Sequence, residues 1–174
     1  MAEPVPSVVK RRFPVVRIRN RGGARIRQYA RVLSAGFDSD IVHDLREYPT
    51  GVRLPRVYEA LDAEPVVPDE RPTVAGHTVI DSIEAITRLS SEEFYRLYGQ
   101  STNRVLVFTR VTRGESPLVA LRVAAPTPSA VVLHGMVRED LWDLAPELAR
   151  VDGYSLATTE QSLTETLEAL RGVA

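Results

Sequence analysis

Arg104 to His134 reads RVLVFTRVTRGESPLVALRVAAPTPSAVVLH. Valine, leucine, phenylalanine and threonine dominate Arg104–Thr112 and Leu118–Ala125, which is the composition of strands. Arg113-Gly114-Glu115-Ser116 between them has turn chemistry, so the two runs predict a β-hairpin. Pro126-Thr127-Pro128-Ser129 leads into a third expected strand, Ala130–His134, and Tyr154–Thr158 predicts a fourth. Around them Val79, Ile80, Ile83 and Ile86 form an amphipathic helical stripe in Thr78–Leu89. Ser90 and Glu93 have capping-box spacing before Phe94, Leu97 and Tyr98, and Ser162 and Glu165 repeat that signature before a terminal helix. Arg138–Val151 predicts a helix that Pro146 must kink or divide. Leu156, Leu163 and Leu170 recur every seven residues with Leu167 completing the seam, a pattern for core packing or for dimerisation.

Upstream, Glu64–Pro72 holds three prolines and three acidic residues, so residues 64–75 read as a linker between an N-terminal part, 1–63, and a sheet domain, 76–174. Residues 1–9 read as loose. Phe13–Asn20 predicts a strand, Arg21-Gly22-Gly23 a turn, and Ala24–Ser34 a helix with Ile26, Tyr29, Ala30 and Leu33 inward. A second helix is expected from Asp38 or Ser39 through Ile41, Val42 and Leu45 to Tyr48, stopped by Pro49-Thr50-Gly51. A short one follows, with Pro55 near its start and Val57, Tyr58 and Leu61 inward. The expected fold class is α+β: a helical, basic N-terminal part, then a mixed sheet of about four strands backed by helices.

Charge divides the chain more sharply than its net value of −1 implies. Lys10–Arg31, KRRFPVVRIRNRGGARIRQYAR, carries nine basic side chains and no acidic one, whereas residues 38–174 carry thirteen basic and twenty-two acidic. Arg17, Arg19 and Arg21 share one face of the expected strand, opposite Val16 and Ile18. All basic residues but Lys10 are arginine, which forks onto phosphates and stacks on bases, although a GC-rich genome or a thermophilic host produces the same bias. Cysteine is absent, excluding disulfides and thiolate chemistry. No run approaches a membrane span or signal peptide, so the expected location is cytoplasmic and no membrane partner is expected.

Nucleophile elbows, P-loops and dinucleotide fingerprints are missing, and His43, His77 and His134 lack carboxylates at ligand spacing. The expectation is therefore a protein that is not an enzyme, with no metal site and no cofactor. His134, at a strand end beside Gly135, stands where open α/β sheets place ligands. The chemistry that remains is nucleic-acid binding. Candidate contacts are Arg11, Arg12, Arg17, Arg19, Arg21, Arg25, Arg27 and Arg31 in the basic run, and Arg53 and Arg56 at the Thr50–Ala63 turn. Arg110 and Arg122, which interrupt expected strands, and Tyr95, which leaves its helical stripe, complete the set.

Two resemblances sharpen this expectation. The order SSEEFYRLYG, RVLVFTRVT, LVALRVAAPTPSAVVLHG and a capped terminal helix, over residues 76–174, resembles the ThermoDBP-related family of archaeal single-stranded-DNA-binding proteins. That resemblance implies binding of single-stranded DNA without sequence preference, through arginine and aromatic side chains, and self-association. TGVRLPRVYEALDA, residues 50–63, resembles the turn and recognition helix of archaeal winged-helix regulators. It departs from their pattern in Pro49 before the turn and in the lack of a basic wing after Leu61. This second resemblance implies duplex DNA as partner and a C-terminal part that dimerises or senses a ligand. Single-stranded DNA is the favoured partner, with duplex DNA or RNA as alternatives, and a homo-oligomer is expected.

Overall fold

A computed structural model describes residues 39–68, 73–124 and 126–174. The readings made of residues 1–38, including the basic strand, the glycine turn, the first helix and arginines 11 to 31, lie outside the described residues. Within them, six strands form one mixed sheet: β1 Val42–Arg53, β2 Glu64–Val67, β3 Thr73–Asp81, β4 Val105–Thr109, β5 Ala130–His134 and β6 Ser155–Thr159. The spatial order is β1-β3-β4-β5-β6-β2. β3 to β6 run parallel, and β1 and β2 close the two edges antiparallel. The helices are α1 Leu54–Ala60, α2 Ser82–Arg88, α3 Ser91–Phe94, α4 Glu115–Ala124, α5 Ala145–Asp152 and α6 Leu163–Arg171. Short 3-10 turns cover Tyr95–Tyr98 and Arg138–Asp140.

Register sorts the parallel strands into two faces. Thr78, Leu106, Val131 and Leu156 lie side by side, as do Ile80, Phe108, Leu133 and Thr158. This face packs on Ala85 of α2, Phe94 of α3, Leu118 and Leu121 of α4, and Ala145 and Ala149 of α5. The opposite face presents the rows His77, Val105, Ala130, Ser155 and Val79, Val107, Val132, Ala157. It packs on Leu54, Val57 and Tyr58 of α1 and Leu170 of α6. Because both faces are covered, β4, β5 and β6 are buried at every position rather than alternately.

Several expectations change accordingly. The expected hairpin is a crossover: Arg104–Thr112 supplies β4, but Glu115–Ala124 is helix, so β4 and β5 are parallel. Leu118 and Leu121 face the core at helical spacing while Val119 and Val123 point outward, and those outward valines are what imitate a strand. The expected helix ending at Tyr48 is strand β1. Register shifts between Val42 and Asp44 and between Glu47 and Val52 break its alternation, leaving apolar residues at 41, 42, 45 and 48 in false helical spacing. Thr78–Leu89 divides at Asp81, which ends β3 and N-caps α2 by accepting the Glu84 amide at 2.9 Å. The expected linker contains β2, which pairs with β6; Pro65 is tolerated because β2 is an edge. β1 and β3, from either side of that stretch, pair directly, so the described residues share one sheet.

Other expectations hold. Ser90 and Glu93 form both halves of a capping box, at 3.1 and 3.0 Å. Ser162 caps α6 by accepting the Glu165 amide at 3.1 Å. Pro146 sits in the first turn of α5, so the stretch Arg138–Val151 is divided as proline requires. Leu170 is fully buried in the core under α6 and Leu163 and Leu167 pack against it, so these three hold α6 to the sheet, whereas Leu156 is buried on the opposite face of β6.

β1 is fastened to the sheet by a buried charge pair. Arg104, fully buried, sits 2.6 Å from Glu47 through Nη2 and Oε1. Its other donors reach the carbonyls of Ser101 at 3.1 Å and His77 at 3.2 Å. Glu47 pairs in register with Gly76 and also accepts the Gln100 amide at 3.1 Å. A Cβ at Gly76 would lie 2.5 Å from the Arg46 carbonyl and 2.7 Å from the Arg104 guanidinium. Gly99, at φ 61, has Glu47 and Arg104 pressed against it in the same way. Beside this pair His77, fully buried, lies between the Tyr48 hydroxyl, 2.8 Å from Nδ1, and Asp44, 2.6 Å from Nε2. Burial pushes the His77 ring below its ordinary range against the pull of Asp44. The ring is then neutral, donating Nε2–H to Asp44 and accepting from Tyr48. Burial alone would raise the Asp44 carboxyl, but the hydrogen bond from His77 and the nearby Arg46 and Arg171 hold it low.

Glu47→Ala strands the Arg104 charge in the interior and is expected to cost about 3–5 kcal/mol by urea unfolding. Arg138→Ala, which breaks the exposed 3.3 Å pair with Glu64, is expected to cost no more than about 1 kcal/mol. Acid should act in two stages. A histidine depressed by folding is neutral in the native state and protonated in the unfolded one below about pH 6.5, so stability falls as pH drops from there. Asp44 removes more only below about pH 4, where the unfolded carboxyl is protonated and the folded one becomes so. His134, also depressed by burial, acts in the same direction as His77. His77→Gln is therefore expected to lower the melting temperature at pH 7.5 and to reduce, without abolishing, the loss between pH 6.5 and 5, measured by thermal melts.

Candidate nucleic-acid interface

α1 follows β1 without a break, so Thr50-Gly51-Val52-Arg53 closes a strand instead of turning between two helices. The recognition-helix reading of residues 50–63 is corrected by this: a helix-turn-helix needs a helix before the turn. Arg53 has extended backbone at the N-cap of α1, and Pro55 occupies the first turn, where its missing N–H has no helical partner to lose. α1 buries Leu54, Val57 and Tyr58 and exposes Pro55, Arg56 and Glu59. Tyr58 is further fixed by a 2.6 Å hydrogen bond between its hydroxyl and Ser155.

Arg53 and Arg56 border an open cleft of about 630 Å³ with Leu54, Pro55, Pro65 and Pro68 among its walls. Arg56 also donates through Nε to the Val173 carbonyl at 3.3 Å, and Arg46 to the Arg171 carbonyl at 3.4 Å. Both guanidinium groups thus lie at the C-terminal end of α6, where the helix dipole leaves negative partial charge.

The other described candidates lie elsewhere. Arg110 follows β4 at φ 59, at the opposite end of the strands from Arg53, because β1 runs antiparallel to β3 and β3 parallel to β4. Its guanidinium grips Asp81 through two bonds of 2.8 and 3.1 Å, with Glu84 at 3.6 Å. The same carboxylate caps α2, so Arg110 serves the β3–α2 junction. Arg122, on α4, stands 3.9 Å from Asp152 of α5. Tyr95 is exposed on a 3-10 turn, its ring 6.4 Å from that of Tyr98. The structure therefore brings Arg53 and Arg56 to one cleft, which Arg110, Arg122 and Tyr95 do not line. Arg11, Arg12, Arg17, Arg19, Arg21, Arg25, Arg27 and Arg31 fall outside the described residues.

Of the histidines, His77 is enclosed in the β1–β3 cluster and His43 is half-buried on β1. His134 is buried beneath the start of α6, and among the described residues neither of its ring nitrogens has a hydrogen-bond partner. Burial lowers its pKa, opposed by the backbone of Ser162 and Gln161. Where β5 and β6 end, a second cleft of about 510 Å³ is lined by Asp62, Glu64, Glu139 and Glu160 with Arg138. Its four carboxylates against one guanidinium repel phosphate. Among the described residues no three histidine, aspartate or glutamate side chains converge as metal ligands, and no helix is long and apolar enough to cross a membrane. Sequence reading missed Arg104 as an organising residue; its only signal is an arginine heading the apolar run VLVF.

No protein-family model matches the chain. An uncharacterised HTH-type transcriptional regulator of Methanocaldococcus jannaschii is 35% identical over 156 residues, 89% of this chain and 65% of that protein. An uncharacterised HTH-type transcriptional regulator of Archaeoglobus fulgidus is 40% identical over 134 residues, 77% of this chain and 58% of that protein. This chain spans less than two thirds of either relative. Among solved structures, the CBS and DRTGG domains of the regulatory region of Clostridium perfringens pyrophosphatase, complexed with the activator diadenosine tetraphosphate, overlap 68% of this chain and 46% of that one. The TM-score is 0.44 and the identity 14%, a likeness that carries no fold or ligand across. The names of the two relatives lend no support to a single-stranded-DNA-binding family. Over most of its length this chain is similar to two archaeal proteins named as HTH-type transcriptional regulators.

Proposed function

We propose that the chain acts in a DNA-binding transcription regulator that engages duplex DNA, working in the cytoplasm and without a catalytic step. The observation that carries this reading is its 35% and 40% identity to two proteins of that name. In this reading the Lys10–Arg31 run supplies phosphate contacts, with nine cations and no anion in 22 residues. Arg53 and Arg56 add a minor basic contact at the α1 cleft. The α/β domain is the assembly or sensing part: α1 is seated on the sheet, and acidic residues outnumber basic ones beyond residue 37.

Fluorescence-anisotropy titration of a labelled duplex, the matching single strand and a single-stranded RNA, each at two salt concentrations, tests this. Duplex is expected to bind tightest, with affinity falling steeply as salt rises. Replacing Arg17, Arg19 and Arg21 together by alanine is expected to flatten the logarithmic salt slope by about 2–3. Preference for the single strand overturns the duplex assignment, and no binding of any probe at low salt overturns the regulator reading.

A further inference from the structure

The large apolar side chains that stand exposed among the described residues are Ile83, Tyr95, Val119, Val123, Leu144 and Val151. All six belong to the crossovers that join β3 to β6, and none to the α1–α6 layer. There the outer surface shows Arg53, Arg56 and Glu59 on one side and Thr164, Glu165 and Glu168 on the other. One helical layer is thus polar outside in the ordinary way, and the other is not.

α4 is the middle helix of that second layer, with α2 on one flank and α5 on the other. Val119 and Val123, one helical turn apart, form a ridge along it, 42% and 77% exposed. Ile83 of α2 and Val151 of α5 stand exposed on the two flanking helices. Charges bracket the ridge: exposed Glu115 opens α4 and makes no salt bridge among the described residues, while Arg122 near its other end has only the long 3.9 Å contact with Asp152.

We infer that this face binds a second copy of the chain, α4 packing antiparallel on its counterpart about a two-fold axis at Val119. Symmetry makes the contact self-complementary, because any residue pair is made twice. With Val119 on the axis, Glu115 of one protomer lies opposite the Arg122–Val123 turn of its partner, so each end of the ridge joins an anion to a cation. The same geometry buries Val123, the most exposed of the six. A contact along the helices in the parallel sense would instead set Glu115 against Glu115 and Arg122 against Arg122, which like-charge repulsion disfavours.

Sedimentation equilibrium of the whole chain without DNA tests the interface separately from the DNA-binding reading. Twice the chain mass of 19.3 kDa is expected at micromolar concentration. Val123→Glu, at a site exposed enough to leave folding unchanged by circular dichroism, is expected to weaken dimerisation at least about tenfold. Glu115→Arg is expected to weaken it as well, and Glu115→Arg combined with Arg122→Glu to restore it, a rescue that only this pairing produces. A monomeric parent chain, a dimer indifferent to Val123→Glu, or a double variant no better than Glu115→Arg overturns the proposal. DNA binding that persists while the dimer fails removes this interface alone; a dimer that forms while DNA binding fails removes only the regulator reading.

Discussion

The Arg104–Glu47 pair is the contact on which the arrangement of this domain turns. It joins the residue just before β4 to the middle of β1 across the middle of β3, three strands held by one buried charge pair. Nη2 of the guanidinium meets the Glu47 carboxylate, while Nε and Nη1 donate to the carbonyls of Ser101 and His77. The constraint reaches the backbone: Gly76 and Gly99 leave room where a Cβ would strike the pair or the neighbouring strand. Tyr48, His77 and Asp44 extend the same polar seam toward solvent. With β1 so fixed, α1 must leave its end and lie against α6, and Arg53 and Arg56 arrive together at one cleft.

Charge and hydrophobicity are distributed by layer. The edge at the carboxyl ends of the parallel strands is acidic near β6, and at β4 its one candidate arginine, Arg110, is occupied by Asp81. The α1–α6 layer is polar outside with arginines at the foot of α6, and the α2–α4–α5 layer carries the exposed apolar ridge. Among the described residues the basic, the acidic and the apolar surfaces are therefore separate. The basic run at residues 10–31 is balanced by an otherwise acidic chain.

Features whose chemistry closes within a few residues were legible in the linear sequence. The capping box at Ser90, the N-cap at Ser162, the division of Arg138–Val151 by Pro146, and the strand β5 all depend on neighbours three or four positions away or on an unbroken apolar run. β1 was read as helix because two irregularities in its pairing with β3 reset the alternation, and such irregularities exist only once the partner strand is present. α4 was read as strand because its outward valines carry β propensity while its inward leucines keep helical spacing, and only burial separates the two. Among the candidate contacts, Arg53 and Arg56 are three apart across the junction of β1 and α1 and could be grouped from spacing. Arg110 could not be assigned to Asp81, twenty-nine residues upstream.

What the sequence determined by itself is a charge-divided chain with a basic run near one end, a sheet-forming acidic remainder, and the local caps and breaks that delimit its last helices. These rest on composition and on interactions along the backbone, which need no partner from elsewhere. Only the tertiary structure decided that six strands share one sheet, that residues 64–67 close its far edge, and that a buried arginine holds β1 in place. Strand pairing, ion-pair choice and the inward or outward sense of a helix are relations between distant residues. Each is settled by which surfaces can be removed from water together.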